Sequence, residues 1–288
     1  MSLQDRSILM DIRLFSFTTS RSDPRTTGEV LQAKSANGDA GHWVNFILPK
    51  KCTKELSSLD GRIRKFHRAN TLPWSDKQGR ILPSANFDSY MEKMREFRRE
   101  RENLVAVFQR LYPTYLNQAR IEKGALFDPN NYPPADVAAD MYSLEINAMP
   151  IPHENDFRCQ LNSPAEMAEI QKNLQKQVKA AEQNATVELF QRICQPLANM
   201  IERLSDPSAT FKDSLVSNLE EITDLIPKLN LTDNPKLAEL HTTIKNQLGH
   251  YTPDTLRHSP ADRTAAATKA QAIFSQAQSW MNPAQAAA

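Results

Sequence analysis

Between positions 62 and 99, the chain concentrates nine residues with the chemistry needed to bind a nucleic acid. They are Arg62, Arg64, Lys65, Arg68, Trp74, Arg80, Arg95, Arg98 and Arg99. A guanidinium or ammonium group neutralises a phosphate, and an indole ring stacks on a base. These residue types predict non-specific binding of DNA or RNA. The alternative is a solvated helical surface on which Trp74 only anchors its loop to the core, because such charge excesses are common on proteins.

Two predicted helices must position these cations. At about 100° per residue, residues 59–70 place their apolar side chains on one arc and their cations on the opposite side. A loop that contains Trp74 and Pro83 leads to a second helix over residues 87–123. Gly124 ends this helix, because glycine readily adopts the left-handed conformation that follows many helices.

Mixed charge limits the nucleic-acid interpretation. Glutamates at positions 92, 96, 100 and 102 stand three or four residues from arginines and can pair with them on a helix. From Lys54 to Lys123 there are 15 Lys and Arg against 9 Asp and Glu, whereas the whole chain has a net charge of +1. Dedicated nucleic-acid binders are usually more basic overall. The total charge therefore favours a protein-binding role, and the local excess favours nucleic acid.

Signatures of catalysis are missing from the sequence. It contains no GxxxxGKS/T, GxGxxG, GxSxG or HExxH pattern. His153, Glu154, Asp156 and Cys159 could ligate a metal in principle, but they follow two prolines in a segment interpreted as an exposed loop. His67, beside the cations, is expected at the surface near phosphate rather than as a general base. We therefore predict a binding protein without a cofactor, a metal or an enzymatic reaction.

Cysteine usage and hydropathy bear on the compartment. Cys52, Cys159 and Cys194 are far apart and form no CxxC pair, which is typical of proteins in a reducing environment. The sequence has no run of about eighteen apolar residues, and Asp5 and Asp11 interrupt the apolar patch near the N-terminus. This pattern predicts a cytoplasmic protein without a membrane span or a secretory signal.

Glycine placement divides the chain into two parts. Five of the seven glycines lie in the first 80 residues, and none lies between Gly124 and Gly249. Because hairpins usually need positive-φ positions, the C-terminal half is expected to be helical. Alternating apolar residues predict strands over residues 8–19, 42–48 and 142–151. The predicted fold is α+β and predominantly helical, with a small antiparallel sheet from the N-terminal half and long helices packed on it.

The predicted domains are residues 1–160, with the sheet and the basic helices, and residues 161–288, which are helical. No flexible linker divides them, so one continuous domain is the alternative. Ser163, Pro164 and Glu166 form a capping-box start for a helix of more than 35 residues. A helix this long needs a partner, either elsewhere in the chain or in a second subunit. Beyond it the predicted elements are helices over 211–229, 235–248 and 261–280, with a linker over 251–260.

Seven motifs follow one another along the chain: SLDGRIRKF, TLPW, GRILP, REFRRERENLV, ALFDPNNYP, SLE and FKDSLVSNLEEI. Together they resemble a family of uncharacterised proteins encoded by bacteriophages, prophages and plasmids, over about residues 14–248. The resemblance implies a mostly helical, cytoplasmic, mobile-element protein in a bacterial host cell. The family has no assigned catalytic residues, so it implies no site. Its members often occur near genes for replication, recombination or an AAA+ ATPase.

Two hypotheses follow from these observations. In the first, the cations bind DNA or RNA without sequence specificity, and the protein acts alone or as a homo-oligomer. In the second, the protein is an adaptor that docks a partner ATPase or a host factor through the long helix after Ser163. The basic segment is then only a solvated surface.

Overall fold

The structure is a computed structural model that describes residues 2–74, 79–153 and 164–281. Its α-helices are α1 (Leu3–Arg6), α2 (Pro24–Ala33), α3 (Lys54–Asn70), α4 (Phe87–Lys123), α5 (Ala135–Asp140), α6 (Pro164–Ser205), α7 (Ser214–Leu229), α8 (Pro235–Leu248), α9 (Pro253–His258) and α10 (Pro260–Met281). Its β-strands are β1 (Ser7–Phe15), β2 (Ser20–Ser22), β3 (Val44–Phe46), β4 (Leu72–Pro73), β5 (Arg80–Pro83) and β6 (Ser143–Pro150). Helices make up 71% of the structure, which confirms the predicted helical α+β class. None of the helices within the described ranges has the length and apolar character needed to cross a bilayer.

A small antiparallel sheet contains four strands in the order β4, β5, β1 and β6. β1 runs antiparallel to β5, with Ser7 opposite Pro83. β4 also runs antiparallel to β5, with Leu72 opposite Ile81. Leu72 and Ile81 are buried, so this pair joins the sheet to the hydrophobic core.

Two details of the predicted sheet are wrong. Residues 42–48 contribute β3, but β3 pairs with β2 in a separate two-stranded sheet. β4 and β5 come from the TLPW and GRILP motifs, which the sequence indicated as a loop. Pro73 and Pro83 end these short strands, where the missing N–H of proline is tolerated. The proline at the end of each strand made the strand pattern hard to recognise in the sequence.

The chain divides into two compact units. The first unit comprises Met1–Asp11, Arg68–Ser89 and Asn147–Ala288, and the second unit comprises Ile12–His67 and Tyr90–Ile146. This division differs from the predicted one, because each unit is assembled from separate stretches of the chain. The predicted boundary near residue 160 lies outside the described residues.

In the first unit, α6 packs against α10 and α7 through small and aliphatic side chains. The buried stripe of α6 includes Ala181, Ala185, Leu189, Ile193 and Leu197. The part of α6 after Ala181 therefore packs against other helices of the same chain, which supplies the partner that a helix of this length needs. Ser163 of the predicted capping box lies outside the described residues, and α6 begins at Pro164.

An arginine from α10 closes the C-terminal end of α6. Arg263 donates hydrogen bonds to four main-chain oxygens within residues 203–209. The last carbonyl groups of a helix have no partner inside the helix and carry partial negative charge. The Arg263 guanidinium therefore supplies hydrogen-bond donors to these carbonyl groups and stabilises the C-terminal end of α6. The ring of Phe211 lies 5.6 Å from Arg263 Cζ and 5.3 Å from Arg257 Cζ.

Local signals predicted other helix ends correctly. Asn234 caps α8 and accepts a main-chain N–H from its first turn. Gly124 follows α4 with a φ of 52°, a conformation that favours glycine. The prediction of a linker over 251–260 is wrong, because α9 lies within these residues. Thr252 starts this short helix by accepting the Thr255 N–H.

The second unit has an aromatic core. The ring centroids of Phe17, Phe108 and Tyr112 lie 5.5 to 6.1 Å apart. Ile47 and Leu48, which follow β3, are buried in the same cluster. Edge-to-face and tilted aromatic packing of this kind adds to the burial of apolar area.

Candidate nucleic-acid interface

The part of α3 in the second unit has one buried side and one cationic side. Leu59 and Ile63 are buried, whereas Arg64 and Lys65 are exposed. Among the described residues, no hydrogen bond or ion pair engages the side chain of Arg64 or Lys65. Both cations are therefore available to a ligand from solvent.

Arg62 is exposed but engaged by α4. Its Nη1 and Nη2 atoms donate to Glu100 at 2.7 and 2.9 Å, and its Cζ lies 5.6 Å from the centre of the Phe97 ring. The hydrogen bonds to Glu100 raise the pKa of Arg62. A phosphate would have to compete with Glu100 for this guanidinium, so Arg62 is a secondary member of the interface.

On α4, the three predicted phosphate ligands are all exposed: Arg95, Arg98 and Arg99. In residues 2–74, 79–153 and 164–281, no ion pair neutralises any of them. The expected pairing along the helix occurs instead between Lys93 and Glu96, at 2.6 Å. Because Glu100 is used by Arg62, these three guanidinium groups remain open to solvent.

Trp74, Arg68 and Arg80 belong to the first unit, separate from the other six predicted residues. Arg68 is exposed. Trp74 is only 7% exposed and lies in the aliphatic core of the first unit. It presents no free face to a base in this conformation. The structure therefore supports the alternative interpretation of Trp74, as an anchor for its loop.

Arg80 is held inside a hydrogen-bonded cluster. It donates to the Thr71 hydroxyl at 2.8 Å, to the Thr71 main-chain oxygen at 3.1 Å and to Glu188 at 2.9 Å. Arg192 shares Glu188 and also donates to the main-chain oxygens of Thr71 and Ala69. Burial lowers the pKa of Arg192, opposed by the nearby carboxylate. Arg80 thus joins β5 to α6 rather than forming part of a surface for phosphate.

The prediction that His67 lies at the surface near phosphate is wrong. Its side chain is buried, and Nδ1 lies 2.7 Å from the Tyr90 hydroxyl. A group in this position cannot lie next to a bound phosphate. The spacing offered a signal, because His67 follows the buried Ile63 by four residues and so shares its helix face.

Arg101 lies among the charged residues of α4, but its side chain is only 3% exposed. Its Nε donates to Asp60 at 2.9 Å, and Asp60 is 6% exposed. A buried charge of this kind needs a partner and hydrogen bonds. Arg101 follows the buried Phe97 by four residues and precedes Phe108 by seven, so its helical phase was the signal for burial.

Charge is distributed unequally between the units. The second unit contains 18 Lys and Arg against 14 Asp and Glu, which gives a net charge of +4. The first unit contains 17 against 20, which gives −3. The near-neutral total therefore conceals a basic unit that carries most of the predicted phosphate ligands.

The described residues contain no group of His, Cys, Asp and Glu placed to hold a metal ion. Of the possible ligands considered in the sequence, Glu154, Asp156 and Cys159 lie outside the described residues.

Comparisons with protein-family models, with curated proteins and with solved structures find no match to this chain. Its function is therefore argued from the residues and their geometry.

Proposed function

We propose that the protein binds DNA or RNA without sequence specificity through its second unit. Arg95, Arg98 and Arg99 on α4 are the principal phosphate ligands, and Arg64 and Lys65 on α3 contribute. The exposure of three neighbouring arginines without an ion pair among the described residues supports this function most strongly. They span about 6 Å along the helix axis, so adjacent phosphates of one strand lie within reach.

The net charge of +4 on the second unit favours encounter with a polyanion. Glu92 and Glu102 are exposed on the same helix and weaken the local field. Each phosphate contact releases counterions, so the affinity falls steeply with salt. Contacts of this type are made to the backbone and carry no sequence information, so the proposed binding is non-specific.

The family resemblance supplies a setting for this function. A non-enzymatic protein that holds single strands or duplexes would act during replication or recombination of a phage or plasmid in its bacterial host. A homo-oligomer would combine several weak contacts into one stronger interaction.

The test is fluorescence anisotropy with labelled single- and double-stranded DNA and RNA at low and moderate salt. Wild type is compared with the variant Arg95→Ala, Arg98→Ala, Arg99→Ala. We expect binding that weakens with salt and falls at least tenfold in the variant. The matched control is Lys172→Ala, Lys176→Ala, Lys179→Ala, which removes three exposed charges from α6 in the first unit. Equal affinity of the two variants would contradict the proposed interface.

Exposed apolar side chains favour a second function, which is docking of a protein partner. Val44 and Phe46 alternate along β3, so they share one face of the two-stranded sheet, and they are 36% and 57% exposed. The docking surface expected on the long helix is less suitable, because its part after Ala181 belongs to the core. The partner is then an AAA+ ATPase or a host factor.

The variant Phe46→Ser separates the two functions. Docking predicts that it abolishes capture of a protein partner by the tagged protein from host lysate and leaves nucleic-acid affinity unchanged. Capture that is identical for wild type and variant would exclude this face.

A further inference from the structure

A second group of cations lies at the start of α3, in the same unit as the arginines of α4. Lys51 and Lys54 are exposed, and among the described residues no hydrogen bond or ion pair engages either side chain. Lys51 belongs to a 3₁₀ helix, Lys50–Thr53, that leads directly into α3. Side chains three residues apart in such a helix lie above one another, so Lys51 and Lys54 project to the same side. Both ammonium groups are available to an anion from solvent.

Lys54 and Lys65 lie on one line along α3. Lys65 follows Lys54 by eleven residues. At about 100° per residue, the two side chains differ by only about 20° around the helix axis, and at about 1.5 Å per residue they are about 17 Å apart along it. One strand of a B-form duplex advances about 3.4 Å per phosphate, so the two lysines match phosphates about five positions apart.

Only short side chains cover the helix between the two ends of this line. The exposed residues on the face between Lys54 and Arg64 are Ser57, Ser58 and Gly61. A Cβ at Gly61 would meet no neighbouring atom within 4 Å, so packing does not require glycine at this position. Glycine destabilises a helix interior, but it allows a ligand to approach the backbone closely. An extended polyanion can therefore lie against α3 between the two ends.

The same face carries no carboxylate. The acidic residues within Lys54–Lys65 are Glu55 and Asp60. Glu55 lies about 100° from Lys54 around the helix axis, and Asp60 is buried against Arg101. On α4, by contrast, exposed glutamates alternate with the arginines. The positive charge along this side of α3 is therefore not offset by an acidic neighbour on the same face.

The end of the line at Lys65 borders the arginines of α4. The ring centroids of Phe66 on α3 and Phe97 on α4 lie 5.6 Å apart. The arginines at positions 95, 98 and 99 stand within two residues of Phe97 in the sequence. A strand that contacts α4 at this level can therefore continue along α3 towards Lys54.

We propose that α3 carries a track for the sugar–phosphate backbone, with Lys51 and Lys54 at one end and Arg64 and Lys65 at the other. This inference rests on the proposed function and extends it. It adds two phosphate ligands outside the set predicted from the sequence, and it gives the bound strand a path along α3 away from the arginines of α4. Because the lysines contact phosphates, the track accepts DNA and RNA alike.

The experiment measures binding of labelled duplex and single-stranded DNA by fluorescence anisotropy over a range of salt concentrations. The variant Lys51→Ala, Lys54→Ala should bind the duplex about fivefold more weakly at low salt, with a slope of log Kobs against log salt smaller in magnitude by about 1.8. The matched control, Arg25→Ala, Lys34→Ala, removes the same charge from exposed positions at α2 in the second unit. It should keep the wild-type slope.

A second pair of variants tests the middle of the track. Gly61→Glu places a carboxylate between the two ends, whereas Gly61→Gln adds a side chain of nearly the same size without charge. Both replace glycine by a better helix former, so both should fold, and thermal unfolding checks this. We expect Gly61→Glu to bind about fivefold more weakly than Gly61→Gln at low salt, because the carboxylate repels the phosphates.

The outcomes separate the track from the proposed function. If the wild type binds DNA and the Lys51→Ala, Lys54→Ala variant behaves like the α2 control, the track is overturned and the proposed function stands. Equal affinities of Gly61→Glu and Gly61→Gln would overturn the track in the same way. Failure of the wild type to bind either probe would overturn both.

Discussion

The two units use arginine for opposite purposes. In the first unit, the guanidinium groups of Arg80, Arg192 and Arg263 donate to main-chain oxygens and hold secondary-structure elements together. In the second unit, the exposed arginines of α4 have no such acceptors among the described residues. The role of an arginine therefore depends on the acceptors within its reach, and the density of charge along the sequence does not reveal that role.

Charge and core composition follow the same division. The first unit is acidic, at −3, and its core is built mainly of aliphatic residues. The second unit is basic, at +4, and it has an aromatic core and a buried ion pair. We therefore expect substitutions of the hydrogen-bonded arginines Arg101 and Arg263 to lower stability, and substitutions of the exposed arginines of α4 to weaken binding.

Arg101 is the arginine of the second unit whose loss should destabilise the fold most. In the variant Arg101→Met, Asp60 remains buried without its cation, so we expect the free energy of unfolding to fall by about 3–5 kcal/mol. Urea denaturation followed by far-UV circular dichroism measures this loss. The control Arg99→Met changes an exposed neighbour and should stay within about 0.5 kcal/mol. A loss of the same small size for both variants would show that the buried pair is dispensable.

In the first unit, the loss of Arg263 should have a smaller effect on stability. Arg263→Met leaves the carbonyl groups at the end of α6 without their donor, so we expect a loss of about 2 kcal/mol. Hydrogen exchange in the last turn of α6 should accelerate. Arg203→Met is the control, because the Arg203 side chain is 53% exposed and its contact with Glu202 is a surface ion pair. Unchanged exchange in Arg263→Met would contradict the capping role.

The smallest effect concerns alkaline pH. Burial raises the pKa of Tyr132 to about 12 from a usual 10, and it also raises the pKa of Tyr142. The folded state then binds these protons more tightly than the unfolded state. This contribution is complete below pH 10 and is lost as the pH rises towards 12. Tyr142→Phe should shift the alkaline unfolding midpoint upward, and an identical midpoint would show that this tyrosine does not contribute.

Periodicity and capping residues were sufficient to predict most helices. Asn234 and Gly124 act locally, so their effects are visible in a short stretch of sequence. Strand pairing was harder to predict, because the partner of β3 depends on distant residues. The TLPW and GRILP motifs contain β4 and β5, which pair with each other, and β5 also pairs with β1.

The candidate site was predictable in part. Helical phase predicted that Arg64 and Lys65 lie opposite the apolar arc of α3, and both are exposed. For α4 the sequence showed only a mixed run of charges, in which Arg95, Arg98 and Arg99 are exposed and Arg101 is buried. The sequence did not predict the burial of Trp74 or the ion pair between Arg80 and Glu188, since both depend on packing within the first unit.

The salt dependence of binding is a direct test of whether Arg95, Arg98 and Arg99 contact phosphates. For duplex DNA, the slope of log Kobs against log salt changes by about 0.9 for each phosphate contact. If Arg95, Arg98 and Arg99 each contact a phosphate, their triple alanine variant should have a slope smaller in magnitude by about 2.7. The triple lysine variant of α6 should keep the wild-type slope. Equal slopes for wild type and both variants would contradict a nucleic-acid interface on α4.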